Sequence, residues 1–193
     1  MKLQISLELS GCFVQHLVMY ELLRETLLLP KDRIVNKETN FQVHDTQERS
    51  FIRVSNKASY LNCGPLRDFI ENRLESGQVN FVVDFLACDS VDSTFLGILV
   101  KVAIRVRGRG SLSLINLRNR NLETVQHLGI HKIASICSKK IVGLNDLKSI
   151  ESNSVSKNTI YQAHKSLVDL NDKNQKVFCD VLQFLQRKKD DVL

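Results

Sequence analysis

At 193 residues the chain suits one domain of ordinary size with additions, or two small ones. Hydrophobic residues make up 43% and charged residues 25%, which excludes a disordered or fibrous chain and leaves enough apolar material for a core. The formal net charge of +6 permits acidic partners without demanding them, because the basic residues are spread along the chain rather than blocked.

In chain order, residues 12–29 place Phe13, Leu17, Leu23 and Leu27 near helical spacing, and Pro30 ends the run. This predicts an N-terminal helical extension over residues 1–40, its last ten residues polar and linker-like. Leu9-Ser10-Gly11-Cys12 imitates a lipoprotein cleavage box, but the run before it is short and holds Gln4 and Glu8. It makes a poor membrane-crossing core.

A regular α/β alternation begins at Phe41. Residues 41–43 and 50–54 read as short strands joined by a polar turn. Pro65 opens a helix to about residue 75, with Leu66, Phe69, Ile70 and Leu74 on one face and Ser76-Gly77 after it. The apolar run from Phe81 to Ala87 reads as a buried central strand, followed by a short acidic loop. A helix then runs from Ser93 or Thr94 to about Arg107, stopped by Gly108 and Gly110. Residues 111–117 read as a strand, 119–128 as a short helix closed by Gly129, and 130–136 lead into an edge strand. The order β-β-α-β-α-β-α-β predicts a mixed sheet flanked by helices over residues 41–144, with parallel neighbours and right-handed crossovers.

Residues 145–157 read as a linker rich in Ser and Asn. In the C-terminal extension, 158–193, Ile160, His164, Leu167 and Val168 share one helical face, and Val177, Phe178, Val181, Leu182 and Leu185 another. One bent helix or a helix pair fits. An isolated helix does not hold in water on propensity alone, so these faces must dock on the domain or on a partner.

The five cysteines, at 12, 63, 88, 137 and 179, are odd in number and widely spaced, which predicts reduced thiols and a cytoplasmic protein. No segment offers the 18 or so uninterrupted apolar residues of a membrane span. Neither GxGxxG nor a P-loop motif is present, and no glycine follows the central strand before Gly97, so no nucleotide cofactor is expected. His127 and His131 have the spacing of a helical metal pair, but Gly129 interrupts them and no acidic third ligand follows; surface histidines are the simpler reading, and no metal is expected. Ser93 lacks a G-x-S-x-G elbow and an assignable base, which argues against an enzyme. Lys101, Arg105, Arg107 and Arg109 fall at a helix end, where cations favour the dipole. Without interleaved aromatics they do not form a nucleic-acid module.

Ser93 is the residue on which function turns. Ser, Thr and Asp are preferred helix caps worth roughly 1 kcal/mol each, so Asp92-Ser93-Thr94 suits any helix start. A phosphate at the same place would instead bring about −1.5 to −2 charges to a helix N-terminus beside Asp89 and Asp92. A partner shaped for the neutral hydroxyl would then meet repulsion and desolvation. Composition alone leaves cap and switch both open.

Asp92-Ser93-Thr94-Phe95-Leu96-Gly97-Ile98-Leu99, reached from Phe81-Val82-Val83-Asp84-Phe85 and its acidic loop, resembles the signature of STAS-domain anti-sigma factor antagonists. Collinear pieces lie on both sides: Pro65-Leu66-Arg67-Asp68-Phe69, the run from Gly110 to Asn116, and the run from Val125 to Ile130. The resemblance covers roughly residues 41–142. It implies a sheet of four or five strands flanked by helices and a non-enzymatic, partner-switching role in transcription regulation. The partner would be an anti-sigma factor that is itself a serine kinase of the histidine-kinase-like ATPase type, with a serine phosphatase restoring the complex. By position the phosphorylation site is Ser93, and the partner-binding residues are Asp89, Asp92, Ser93, Thr94, Phe95 and Leu96. Asp84 closes the preceding strand. At Phe95 the family usually has glycine, so a bulky ring is expected beside the phosphosite. The alternative is a non-switching STAS scaffold subunit of a transporter- or envelope-associated complex, docking through its C-terminal helices. Those helices could also serve a homodimer.

Overall fold

The predicted opening hairpin is present as β1 (Phe41–Asp45) and β2 (Ser50–Ala58), paired antiparallel from Phe41↔Val54 to Asp45↔Ser50. The computed structural model describes residues 40–141 and 146–190. The helix expected at 12–29, the 31–40 linker up to residue 39, and Cys12 lie outside the described residues. Helix α1 (Gly64–Glu75), with Pro65 in its first turn, leads to β3 (Asn80–Val91), and α2 (Ser93–Val106) leads to β4 (Ser111–Ile115). Helix α3 (Asn119–His127) and a 3-10 turn (Ile130–Lys132) precede β5 (Ser135–Cys137). Strands β2, β3, β4 and β5 are parallel neighbours, as the βαβ order requires.

Two expectations need correction. The central strand does not stop at Ala87: residues 88–91, expected as a loop, continue β3 and pair with Asn56, Lys57 and Ala58. The partner strand β2 is itself longer than its apolar run, and backbone pairing carries the polar residues. Two register shifts fit them together, with Asn56 at φ 55 in the left-handed region that Asn tolerates. The 145–157 stretch is no free linker either. It contains β6 (Lys148–Ile150), antiparallel to β1, and makes the sheet six-stranded in the order β5-β4-β3-β2-β1-β6. Beyond β6 the chain is strapped down by Gly64 N–H donating to Asn153 O (3.0 Å) and Val155 N–H donating to Tyr60 O (2.8 Å). Gly64 is required here, because a Cβ would stand 2.8 Å from the Ser154 carbonyl oxygen.

The C-terminal extension is a helix pair, α4 (Lys157–Val168) and α5 (Asp172–Asp190). Ser156 caps α4 by accepting from Thr159 N–H, and Asn171 accepts from Asn174 N–H (2.9 Å) at the start of α5. The hinge is staked to the domain through the Leu128 carbonyl, which accepts from Asn171 Nδ2 (3.1 Å) and Asn174 Nδ2 (2.9 Å). Ten of the 14 residues of α2 are buried, from Thr94 to Val106. A helix apolar on nearly every side must be covered on both. Phe95 and Phe41 face each other in the core on one side, and α4 closes the other.

Candidate docking site at the start of helix α2

Asp92, not Ser93, is the cap of α2. With φ −104° and ψ 172° it stands just outside the helix, and Oδ1 accepts from Phe95 N–H at 2.8 Å. Its other oxygen accepts from Tyr60 N–H at 2.8 Å, so one carboxylate ties the helix start to the turn after β2. Burial pushes this carboxyl up to about 6, and the N–H donors only partly oppose it.

Ser93 is therefore spared the capping role that its position suggested. It is half-buried at the first helical residue, and its Oγ lies 3.0 Å from Nε2 of His164 on α4. His164 is fully buried, with Nδ1 2.8 Å from the Ile160 carbonyl and its ring edge-on to Phe178, centroids 5.4 Å apart. One turn along α2, Gly97 admits the α4 backbone. A Cβ there would stand 2.2 Å from the Ala163 carbonyl oxygen and 2.5 Å from its carbon. Close packing of two helix backbones thus fixes the distance at which serine and histidine meet.

The remaining predicted positions are divided between surface and core. Asp89 is exposed near the end of strand β3. Thr94, Phe95 and Leu96 are buried, at 2%, 0% and 0% exposure, so their side chains form the floor of the site rather than its outer face. The ring of Phe95 does not stand beside the serine at the surface, where it was expected. It stacks on Phe41 at 6.0 Å and meets Phe85 edge-on at 6.2 Å, filling the space between sheet and helix. Asp84 is buried within β3 rather than at its end, accepting from Asn116 Nδ2 (2.8 Å) and Leu86 N–H (3.1 Å), with Arg53 Nε 3.7 Å away.

Other candidates resolve into structure. Glu71 of α1 accepts from Lys101 (2.8 Å) and pairs with Arg105, which locks α1 to α2. Burial works to raise that carboxyl, but the two cations outweigh it and hold it below the ordinary value. Arg109 donates to the Arg105 carbonyl at the helix end (3.0 Å). His127 closes α3 and His131 lies in the 3-10 turn, with Gly129 between them at φ 78. Among the described residues no group of three or more His, Cys, Asp or Glu side chains is placed to hold a metal, and no helix is long and apolar enough to cross a membrane. Burial pushes the thiol of Cys63 far up and that of Cys88 up to about 11, so neither is poised as a thiolate.

His164 carried one signal in the sequence, its place on an otherwise apolar helical face. Nothing in the spacing could pair it with a serine 71 residues earlier.

The sheet, its three crossover helices and the Asp92-capped helix start that carries Ser93 at the central strand–helix junction define a STAS-type α/β domain. The chain belongs to the STAS family: the family model described as "Mlab, STAS domain" matches residues 41–142. Solved structures similar to it include the phosphorylated form of the Bacillus cell fate determinant SpoIIAA, 17% identical over 52% of this chain and 91% of that one, TM-score 0.46. An anti-sigma factor antagonist from Thermotoga maritima is 14% identical over 52% and 87%, TM-score 0.47. Another from Mycobacterium paratuberculosis is 17% identical over 55% and 87%, TM-score 0.44. No match was found among curated proteins.

Proposed function

We propose that the chain acts by docking, as a cytoplasmic anti-sigma factor antagonist without catalytic turnover of its own. Its partner is a regulatory serine kinase of the histidine-kinase-like ATPase type, and phosphorylation of Ser93 breaks the complex until a phosphatase restores it. The observation that supports this reading is the division of labour at the helix start. Asp92 holds the cap, so Ser93 can be modified without loss of the hydrogen bonds that begin α2. The added charge would lie next to Asp92 and four residues from the exposed Asp89. Inverting a 1:99 equilibrium takes about a 10⁴-fold change in affinity, about 5.5 kcal/mol, a magnitude that a divalent anion inside an interface can supply. With Thr94, Phe95 and Leu96 buried, the partner would read Asp89, Ser93 and the backbone around them.

A second reading, the non-switching scaffold of a transporter- or envelope-associated complex, is favoured by one observation. Helix α4 already covers α2, and Ser93 already has His164 as a partner. Phosphopeptide mapping of the chain isolated from growing cells separates the two. The switch predicts phosphate on Ser93 and its absence in Ser93→Ala. Unmodified Ser93 under every growth condition, with all partners lost on deleting residues 158–193, would establish the scaffold instead.

A further inference from the structure

We propose that His164 is the proton acceptor for Ser93, so that the C-terminal helix pair supplies a base that activates the serine for phosphoryl transfer. This rests on the reading of Ser93 as a modification site.

The proton positions follow from the hydrogen-bond partners. The Ile160 carbonyl can only accept, so Nδ1 of His164, 2.8 Å away, must carry a proton. In the neutral imidazole Nε2 then holds a lone pair, and Ser93 Oγ at 3.0 Å donates its hydroxyl proton to it. A nucleophile, a base and a group that orients the base are thereby in line, the arrangement by which serine hydroxyls are activated. Here a backbone carbonyl takes the place that a carboxylate holds in catalytic triads.

The pair is held rigidly. His164 is fully buried, Phe178 meets its ring edge-on, and the Gly97–Ala163 backbone contact sets the spacing of the two helices. Ser93 is half-buried, whereas His164 is fully enclosed. The base comes from residue 164, outside the 41–142 span that matches the family.

The step balances without a further reactant beyond the nucleoside triphosphate held by the kinase. The Ser93 Oγ–phosphorus bond forms, the bond from the γ-phosphorus to the bridging oxygen breaks, and nucleoside diphosphate leaves. The hydroxyl proton passes to His164 Nε2. The resulting imidazolium then faces the new phosphate and can donate a charge-assisted hydrogen bond to it.

A fluorophosphonate probe tests this with no kinase present, because the same oxygen attacks phosphorus and fluoride leaves. The full chain is incubated with the probe across a range of pH, and labelling of Ser93 is followed by peptide mass spectrometry. Two variants separate chemistry from packing. His164→Gln keeps an oxygen able to accept from Ser93 but cannot take its proton, whereas His164→Asn keeps a donor for Ile160 and loses the far nitrogen. Thermal melting checks that each is folded. The proposal predicts labelling of wild-type Ser93 that rises with pH to a plateau, and a loss of about 10²-fold or more in both variants, the usual contribution of a general base. A Gln variant labelled like the wild type would reduce His164 to a packing partner, and a wild-type serine no more reactive than other surface serines would overturn the proposal outright. Labelling that depends on His164, in a protein that no kinase phosphorylates, would keep this inference and sink the switch.

Discussion

Gly97→Ala tests whether the C-terminal helices are docked on α2 in solution, and the sign of the effect gives the answer. With α4 in place, the new methyl would stand 2.2 Å from the Ala163 carbonyl oxygen and 2.9 Å from its Cα. These are backbone atoms and cannot rotate away, so the helices must separate by about 1 Å, and overpacking of this kind costs about 3 kcal/mol. Against that, alanine is a better helix former than glycine by about 1 kcal/mol. The net expectation is a loss of about 2 kcal/mol, a fall in Tm of about 4–8 °C for a chain of this size. Urea denaturation of the full chain gives the free energy, and amide hydrogen exchange reports where it is lost. Exchange should quicken in α4 and α5 and hold steady in β2 and β3. If α4 did not cover this face, only the propensity gain would remain. A variant about 1 kcal/mol more stable, with unchanged α4 exchange, would refute the packing on which the Ser93–His164 contact depends.

Asp92 gives the protein a pH dependence of determinable sign. Its carboxyl is raised from 3.8 to about 6 in the fold, so between those values the folded state holds the proton more often than the unfolded chain. Stability attributable to Asp92 is greatest below that window and declines by about 3 kcal/mol as pH rises through it. Asp92→Asn should remove this slope from a series of urea titrations at pH 4–7, and an unchanged slope would reassign it to other groups. Phe95→Ala should cost about 3–5 kcal/mol, because the ring is fully buried between Phe41 and Phe85. A loss below 1 kcal/mol would contradict the burial. Asn174→Ala removes one of the two amide donors to the Leu128 carbonyl and the side-chain donor to that of Leu167, and should cost about 1 kcal/mol, with the loss confined to faster exchange in α4 and α5.

The elements legible in the sequence were those whose apolar period matched their structure. The run from Phe81 to Ala87, the helix from Ser93, and the two faces at Ile160 and Val177 all appear as elements where the pattern put them. What escaped was set by partners distant in the chain. Residues 88–91 are polar and become strand only because β2 runs alongside them, and Lys148–Ile150 becomes strand because β1 has a free edge. The cap at α2 was ambiguous for a local reason, since Asp92, Ser93 and Thr94 are all competent. Tyr60 decided it, by offering Asp92 a second N–H from another part of the fold. Phe95 was expected as a bulky ring beside the serine, but at the third position of a buried helix its side chain packs against Phe41 and Phe85. His164 could be placed on a buried face, yet its contact with Ser93 required the Gly97 approach, which is a property of two backbones.

The account turns on Ser93 controlling a docking surface, and affinity measures that directly. The partner kinase recovered with the unmodified chain can be titrated calorimetrically against wild-type protein, Ser93→Ala and enzymatically phosphorylated protein. Wild type and Ser93→Ala should bind within a few-fold of each other, and the phosphorylated form about 10⁴-fold more weakly. Equal affinity for all three would contradict the switch and leave the chain a scaffold.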